Sequence, residues 1–245
     1  MVMLASLREE LIIKELHEKG IVNINEISEM LGASLATIRR DLTKLENENK
    51  LTRIHGGAKS NYSLELTMSE KLILNYNDKK AVCKSASDVI KDGDCIFIDG
   101  GSTLEPMYEY IKDKAITVVT NNALILAKIK NSKAKFIMVG GDYLPHYNMV
   151  VGTFAINQIG NYSYDHCFIG CTGINLETGL AYTVEQETKD IKITAMKNSN
   201  NNYLLIDSSK INVKAFIKIA ELNAFTKIFV NKVKIAEDLD NLILV

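Results

Sequence analysis

The sequence predicts two domains of different class: a small all-α domain at the N-terminus, then a larger α/β domain with a mostly parallel sheet. Three observations lead there. The chain has 245 residues, above the ~100–150 typical of one domain. As far as Leu45, apolar residues recur at the three- and four-residue spacing of helices. From Asp78 onward, short continuous apolar runs alternate with helical patterns, as expected for parallel strands covered on both faces. The expected boundaries are 1–58 for the first domain, 59–77 for a linker and connecting helix, and 78–245 for the second domain.

In the first domain, Leu7, Leu11, Ile12, Leu16 and Ile21 mark a helix ending at Gly20, a residue that tolerates positive φ. A second, shorter helix is capped by Asn23 or Asn25, buries Ile27, Met30 and Leu31, and stops at Gly32. Ser34 is an N-cap for the third. Leu35, Ile38, Leu42 and Leu45 form its apolar stripe, and Thr37, Arg39, Arg40 and Lys44 face elsewhere. This is helix-turn-helix spacing. The third helix is expected to end at Asn49, which tolerates left-handed geometry. Leu51 to Ile54 then alternates apolar and polar, and His55-Gly56-Gly57 supplies a flexible basic tip, so the segment reads as a wing.

Adjacent arginines near the front of a helix suit phosphates and the acceptor pair of guanine. Asp41 can instead pair with either of them, leaving a solvated face. Charge distribution favours the nucleic-acid reading. From Ser34 to Ser60 there are six Lys or Arg (39, 40, 44, 50, 53, 59) against three acids (41, 46, 48), whereas the preceding residues carry more acids than bases. Candidate DNA contacts are Ser34, Thr37, Arg39, Arg40, Lys44, Arg53, His55 and Gly56.

With TIRRDL at 37–42 and RIHGGA at 53–58, the chain resembles the DeoR-type bacterial transcriptional regulators. That resemblance implies a winged helix-turn-helix and a sequence-specific regulator of double-stranded operator DNA, a repressor of a sugar-metabolism operon.

The net charge of −1, with 47% hydrophobic residues, two Pro and no Trp, excludes a generic polybasic nucleic-acid binder. DNA contact is then confined to a small patch, and a homo-oligomer, dimer or tetramer, is the expected route to specificity. No charged-then-apolar leader or long apolar run is seen, so a cytoplasmic protein without a membrane span is expected. Cys83, Cys95, Cys167 and Cys171 lack paired spacing and sit in apolar contexts, which favours buried reduced thiols. The four histidines are scattered, so neither a metal site nor a cofactor is expected.

In the second domain, helices are predicted over Asp78–Lys91, Glu105–Ile111 and Ala123–Lys130. Strands are predicted over Cys95–Asp99, Ile116–Thr120 and Phe136–Val139, and in the apolar runs ending near Gly170 and Ile206. Ligands of such sheets bind beyond the carboxyl ends of the strands. Small polar residues collect there: Asp99-Gly100-Gly101-Ser102-Thr103, Thr120-Asn121-Asn122, Gly140-Gly141-Asp142, Gly170 to Gly173, and Asp207-Ser208-Ser209-Lys210. Gly-Gly-Ser-Thr between strand and helix is a ready anion site; read alone, it is also a tight turn with an N-cap. Lys79 or Lys80, with Lys210, can supply positive charge. The candidate effector residues are Lys79, Lys80, Asp99, Gly101, Ser102, Thr103, Asn121, Asn122, Gly141 and Lys210, with Glu105, Asp142, Tyr143 and His146 as further candidates for reading hydroxyls.

Residues 78–210 resemble the sugar-phosphate-binding domain of DeoR-type regulators, which is similar in fold to ribose-5-phosphate isomerase. The resemblance implies an isomerase-like fold and a phosphorylated sugar that releases the protein from DNA. An isomerase-like enzyme is the alternative. Turnover needs a carboxylate base with further acids. Where the isomerase pattern has an Asp-Gly-Ala-Asp-Glu run, this chain reads Ile169-Gly170-Cys171-Thr172-Gly173. Both aspartates are lost, and Glu185 and Glu187 align only loosely with the base. A sensor without catalysis is expected.

Overall fold

The computed structural model describes residues 4–19, 21–48, 50–54, 56–60, 68–231 and 240–245. The expected helix-ending residues Gly20 and Asn49, the tip residue His55, and 61–67 of the expected linker lie outside the described residues. The chain divides into two units, Met1–Thr67 and Met68–Val245.

The first unit contains α1 (Ala5–Lys19), β1 (Ile21–Asn23), α2 (Ile24–Leu31), α3 (Leu35–Asn47), β2 (Leu51–Ile54) and β3 (Gly57–Ser60). Asn23 caps α2 by accepting from Asn25 N–H at 2.8 Å. At the other end Gly32, at φ 59°, directs its N–H back to the Glu29 carbonyl, which satisfies an orphan carbonyl of the last turn. Ser34 caps α3 through Thr37 N–H. Ile12, Leu16, Ile27, Ile38, Leu42, Leu45 and Leu51 form the core. Leu7, Met30 and Leu35 do not join it and are 47%, 49% and 37% exposed: each sits at the rim of an apolar stripe, where spacing alone does not separate core from edge.

Two other expectations are corrected. Asp41 pairs with neither Arg39 nor Arg40. It is buried, and its carboxylate takes both a 2.5 Å and a 3.0 Å hydrogen bond from the Arg8 guanidinium of α1. Gly57 is not part of a flexible tip but a buried residue of β3, paired with Ile54 of β2 and Asn23 of β1. A Cβ there would fall 2.0 Å from the Val22 carbonyl oxygen, so the strands meet closely only because the residue is glycine.

The second unit is built on seven parallel strands: β4 (Cys95–Ile98), β5 (Thr117–Thr120), β6 (Lys135–Met138), β9 (Tyr164–Ile169), β12 (Ser199–Ile206), β14 (Lys227–Val230) and β15 (Leu242–Leu244). Their order is β15-β14-β12-β9-β4-β5-β6. All six strand pairings are parallel. Alternate residues enter opposite cores. Phe97, Cys167, Ile169, Leu204 and Ile206 pack on the side of α8 (Gly152–Gly160) and α9 (Gln186–Lys197). Ile96, Ile98, Phe168 and Leu205 pack on the side of α5 (Tyr76–Ser87) and α6 (Tyr108–Ile111). This double burial explains the continuous apolar runs of the sequence.

A short helix α4 (Met68–Ile73) precedes α5, and α7 (Ala123–Leu126) follows β5. The ribbon of β7 (Asp142–Leu144) and β8 (Met149–Val151) and the antiparallel sheet of β10 (Gly173–Asn175), β11 (Leu180–Thr183) and β13 (Ile217–Glu221) complete the unit. Some helices are shorter than the apolar spacing suggests: α7 covers four residues rather than Ala123–Lys130, and Glu105–Met107 is a 3₁₀ turn leading into α6. Pro106, inside that turn, cannot donate the hydrogen bond that an extended α-helix would require.

Removing one partner of the buried Arg8–Asp41 pair leaves an uncompensated charge. Asp41→Ala should therefore destabilise the first unit by about 3–5 kcal/mol, while Arg8→Met with Asp41→Leu should recover most of that loss. Urea unfolding of the whole chain, followed by hydrogen exchange at the α3 amides, checks both.

Candidate nucleic-acid interface and effector site

Helix α3 presents its polar side as an open groove of about 660 Å³ lined by Arg39, Arg40, Thr43, Lys44, Asn47, Glu48 and Arg53. Arg39 and Arg40 are exposed, as contact with a nucleic acid requires. The wing is tied to the helix through Arg53. Its N–H donates to Glu46 Oε1 at 2.8 Å, and its guanidinium donates to Thr43 Oγ1 at 2.9 Å. Lys44 is held by the Glu9 carboxylate at 2.8 Å, which raises the ammonium pKa. Ser34 and Thr37 bond to each other at the helix start, and Gly56, at φ 79°, is exposed beside the wing turn.

In the second unit, Asp99 ends β4 almost wholly buried, and its carboxylate is paired with the equally buried Lys192 of α9. Burial pushes the Asp99 carboxyl above its ordinary range, and the charge of Lys192 works against that shift. The same carboxylate accepts from Gly170 N–H at the end of β9, at 3.2 Å. Asn122, after β5, donates to the carbonyls of Asp99 and Gly101 at 3.1 Å each and caps α7 with its own oxygen. Three strand ends are thereby joined by side-chain hydrogen bonds. Asn121 is fully buried, donates to the Val150 carbonyl, and leaves Oδ1 without a partner among the described residues.

Gly101 has φ 122°, a conformation that L side chains rarely adopt, and a Cβ placed there or on Gly170 would meet no heavy atom within 4 Å. Open space therefore lies over the loop. Ser102 accepts from Lys79 Nζ at 3.2 Å, and that ammonium also donates to the Lys71 carbonyl. Lys79 is 3% exposed, and among the described residues no carboxylate lies within ion-pair distance. Burial lowers its pKa; the more distant Asp207 opposes this and Lys210 adds to it. Asp207, ending β12, accepts from Asn75 Nδ2 at 2.9 Å and caps the turn that carries Lys210.

Other predicted residues are placed differently. Lys80 points to the Tyr76 ring, 5.9 Å from its centroid, and not to Ser102. Thr103 contributes its carbonyl to the Cys83 thiol. Gly141, at φ 153°, allows close passage of the Val151 carbonyl, while Gly140 is bonded in both directions to Gln158 of α8. The end of β6 is thus fastened to α8. Glu105 is buried beside Lys128. Asp142, Tyr143 and His146 are exposed, and the Tyr143 hydroxyl donates to Asn148. All four cysteines are free; Cys83 and Cys167 are buried, and Cys95 and Cys171 are half-buried. Burial pushes the Cys171 thiol up to about 12.

Lys192 and Asn75 were not legible as site residues. Lys192 carries one signal in the sequence: it lies on the buried stripe of α9, among Thr188, Ile191, Ala195 and Met196. A lysine at a core position needs an anionic partner.

A winged helix-turn-helix carrying exposed arginines, joined to an α/β unit with a polar strand-end cluster, defines a DNA-binding transcriptional regulator with a sensor domain. Residues 8–63 match the DeoR-like helix-turn-helix domain and residues 74–232 match the DeoR C-terminal sensor domain; the chain belongs to the DeoR family. It is 33% identical over 230 residues to the HTH-type transcriptional regulator FruR of Bacillus subtilis, covering 91% of each chain. It is 34% identical over 222 residues to the lactose phosphotransferase system repressor of Staphylococcus epidermidis, covering 87% of this chain and 88% of the relative. Among solved structures, ribose 5-phosphate isomerase A of Methanocaldococcus jannaschii aligns over 56% of this chain and 55% of its own, at 17% identity and TM-score 0.40. The sorbitol operon regulator SorC of Klebsiella pneumoniae aligns over 82% and 90%, at 12% identity and TM-score 0.37.

Asp99→Asn removes the charge partner of a buried ammonium, so it should destabilise the second unit by about 3–5 kcal/mol. Lys192→Met with Asp99→Leu should lose less. The urea midpoint of β4 and β9 amide protection measures both.

Proposed function

We propose that the protein is a repressor of a sugar-metabolism operon, that it acts in the cytoplasm as a homo-oligomer, and that a phosphorylated sugar releases it from operator DNA. The observation that carries the effector reading is Lys79, a buried ammonium that among the described residues bonds only neutral oxygens, beside Ser102 and the open backbone of Gly101. Burying a cation without an anion is costly. A phosphate at that point supplies the missing charge and accepts from Lys79, Ser102 and the loop N–H groups. Asn121, Asn122 and Lys210 complete the surroundings, and the family membership and the name of the lactose repressor relative support the sugar half of the ligand.

The proposed regulator does not turn its ligand over. At the positions where the isomerase pattern carries aspartates, Ile169 is fully buried apolar sheet and Thr172 belongs to the turn before β10. Release follows from linkage: a ligand that binds one arrangement of the protein more tightly shifts the population toward it.

On the DNA side, Arg39, Arg40, Arg53 and the wing tip with His55 and Gly56 are the proposed contacts, and Lys44, Ser34 and Thr37 complete the patch. Fluorescence anisotropy on operator DNA over a salt series separates their roles. Loss of a phosphate contact by Arg39→Ala or Arg40→Ala should flatten the log–log salt slope by about 0.9. Loss of a base contact should cost about 1–3 kcal/mol and relax specificity at one position. Unchanged binding by both variants overturns the interface.

For the effector, pentose, hexose and glycerol phosphates are compared by thermal stabilisation of the whole chain. A true ligand at a hundred times its Kd adds roughly 2.7 kcal/mol. Lys79→Met should show no stabilisation by the phosphate that stabilises the parent. A Lys79→Met protein that still responds overturns the site.

A further inference from the structure

The same ammonium that marks the candidate phosphate site also fastens the first helix of the second unit. Helix α4 is six residues long, too short to be stable alone, and its last carbonyls have no partner within the helix. The Lys71 carbonyl receives Lys79 Nζ, so a buried cation caps the negative end of α4. Two further ties hold the same corner. Asn75, at φ 53° between α4 and α5, donates to Asp207 at the end of β12 at 2.9 Å. Lys71 Nζ lies 5.3 Å from the centroid of the Tyr147 ring, a cation–π distance, and the Tyr147 hydroxyl reaches Glu185 at the start of α9 at 3.4 Å.

Helix α4 is also where the second unit begins in the chain, next after the segment that leads from the DNA-binding unit. We propose that bound phosphate and the α4 carboxyl end compete for the single Lys79 ammonium, so that ligand binding uncaps α4 and passes its signal to the DNA-binding unit through that helix. The inference rests on the effector reading above. A phosphate carries the negative charge that a carbonyl lacks and attracts the ammonium more strongly, so Lys79 moves toward the ligand and its bond to the Lys71 carbonyl weakens. Asn75 and Tyr147 are positioning residues in this scheme: they hold α4 down without belonging to the Gly101–Ser102 loop.

Competition makes a prediction in both directions. Asn75→Gly keeps the left-handed backbone that the corner requires and removes the Asp207 bond; Tyr147→Leu removes the ring under Lys71. Each variant should bind inorganic phosphate several-fold more tightly than the parent, since α4 competes less well, and should bind operator DNA about five-fold more weakly or worse without any ligand. Hydrogen exchange across residues 68–74 should speed up when the parent is given saturating inorganic phosphate, and should start fast in both variants. Isothermal titration, anisotropy and exchange mass spectrometry on the full chain read the three quantities, and circular dichroism verifies folding. If the parent binds phosphate with Lys79 dependence but both variants match it in phosphate and operator affinity, the α4 coupling is wrong and the effector site stands. If the parent takes up neither inorganic phosphate nor any sugar phosphate, the effector reading fails and the coupling with it.

Discussion

A parallel sheet buried on both faces leaves little room for polar groups in the buried part of its strands, and that constraint organises the second unit. The backbone groups of seven strands satisfy one another, apolar side chains fill both faces, and chemistry is confined to the strand ends. The Asp99–Lys192 pair sits at the centre of that edge. Its carboxylate holds the N–H of Gly170 and its ammonium comes from α9, so one buried ion pair joins β4, β9 and a helix from the opposite layer. Breaking it would leave a charge in the interior, which is why the geometry around it is so closely determined.

The first unit has a smaller version of the same device. Asp41 is the neighbour of Arg40 in sequence, yet it points inward and is clasped by Arg8 of α1. The pair sets the rotation of α3. With Asp41 and the Ile38–Leu42–Leu45 stripe turned to the core, Arg39 and Arg40 have only the solvent side left to occupy. The groove they line with Arg53 is therefore a consequence of which residues the core takes. The Thr43 bond to the Arg53 guanidinium then makes helix and wing one surface.

Lys79 of the second unit has no such carboxylate among the described residues. Among the described residues, the other buried cations have carboxylates: Arg8 has Asp41 and Lys192 has Asp99. The exception lies beside a loop whose glycine requires φ 122° and whose outer side is open. A buried cation bonded among the described residues to neutral oxygens is the departure from that rule on which the proposed effector site rests.

Much of this was legible beforehand. Asn23, Gly32 and Ser34 act locally, through caps a few residues long, and so their roles survive in any correct fold. The apolar runs Cys95–Ile98 and Tyr203–Ile206 declare double burial directly, and from it follow the parallel sheet and the polar edge. Partner choice across long separations is different in kind. Asp41 had two arginines beside it and took one 33 residues away; Lys79 and Lys80 were equivalent in sequence, and helix phase turned one toward Ser102 and the other toward Tyr76. The end of β6 carries the same small residues as its neighbours but is bonded to α8. The elements, their order and the edge at which polar residues collect follow from periodicity and local capping, which can be read along the chain. Which charges meet there follows from folding, because burial and pairing are set by residues that the chain brings together from far apart.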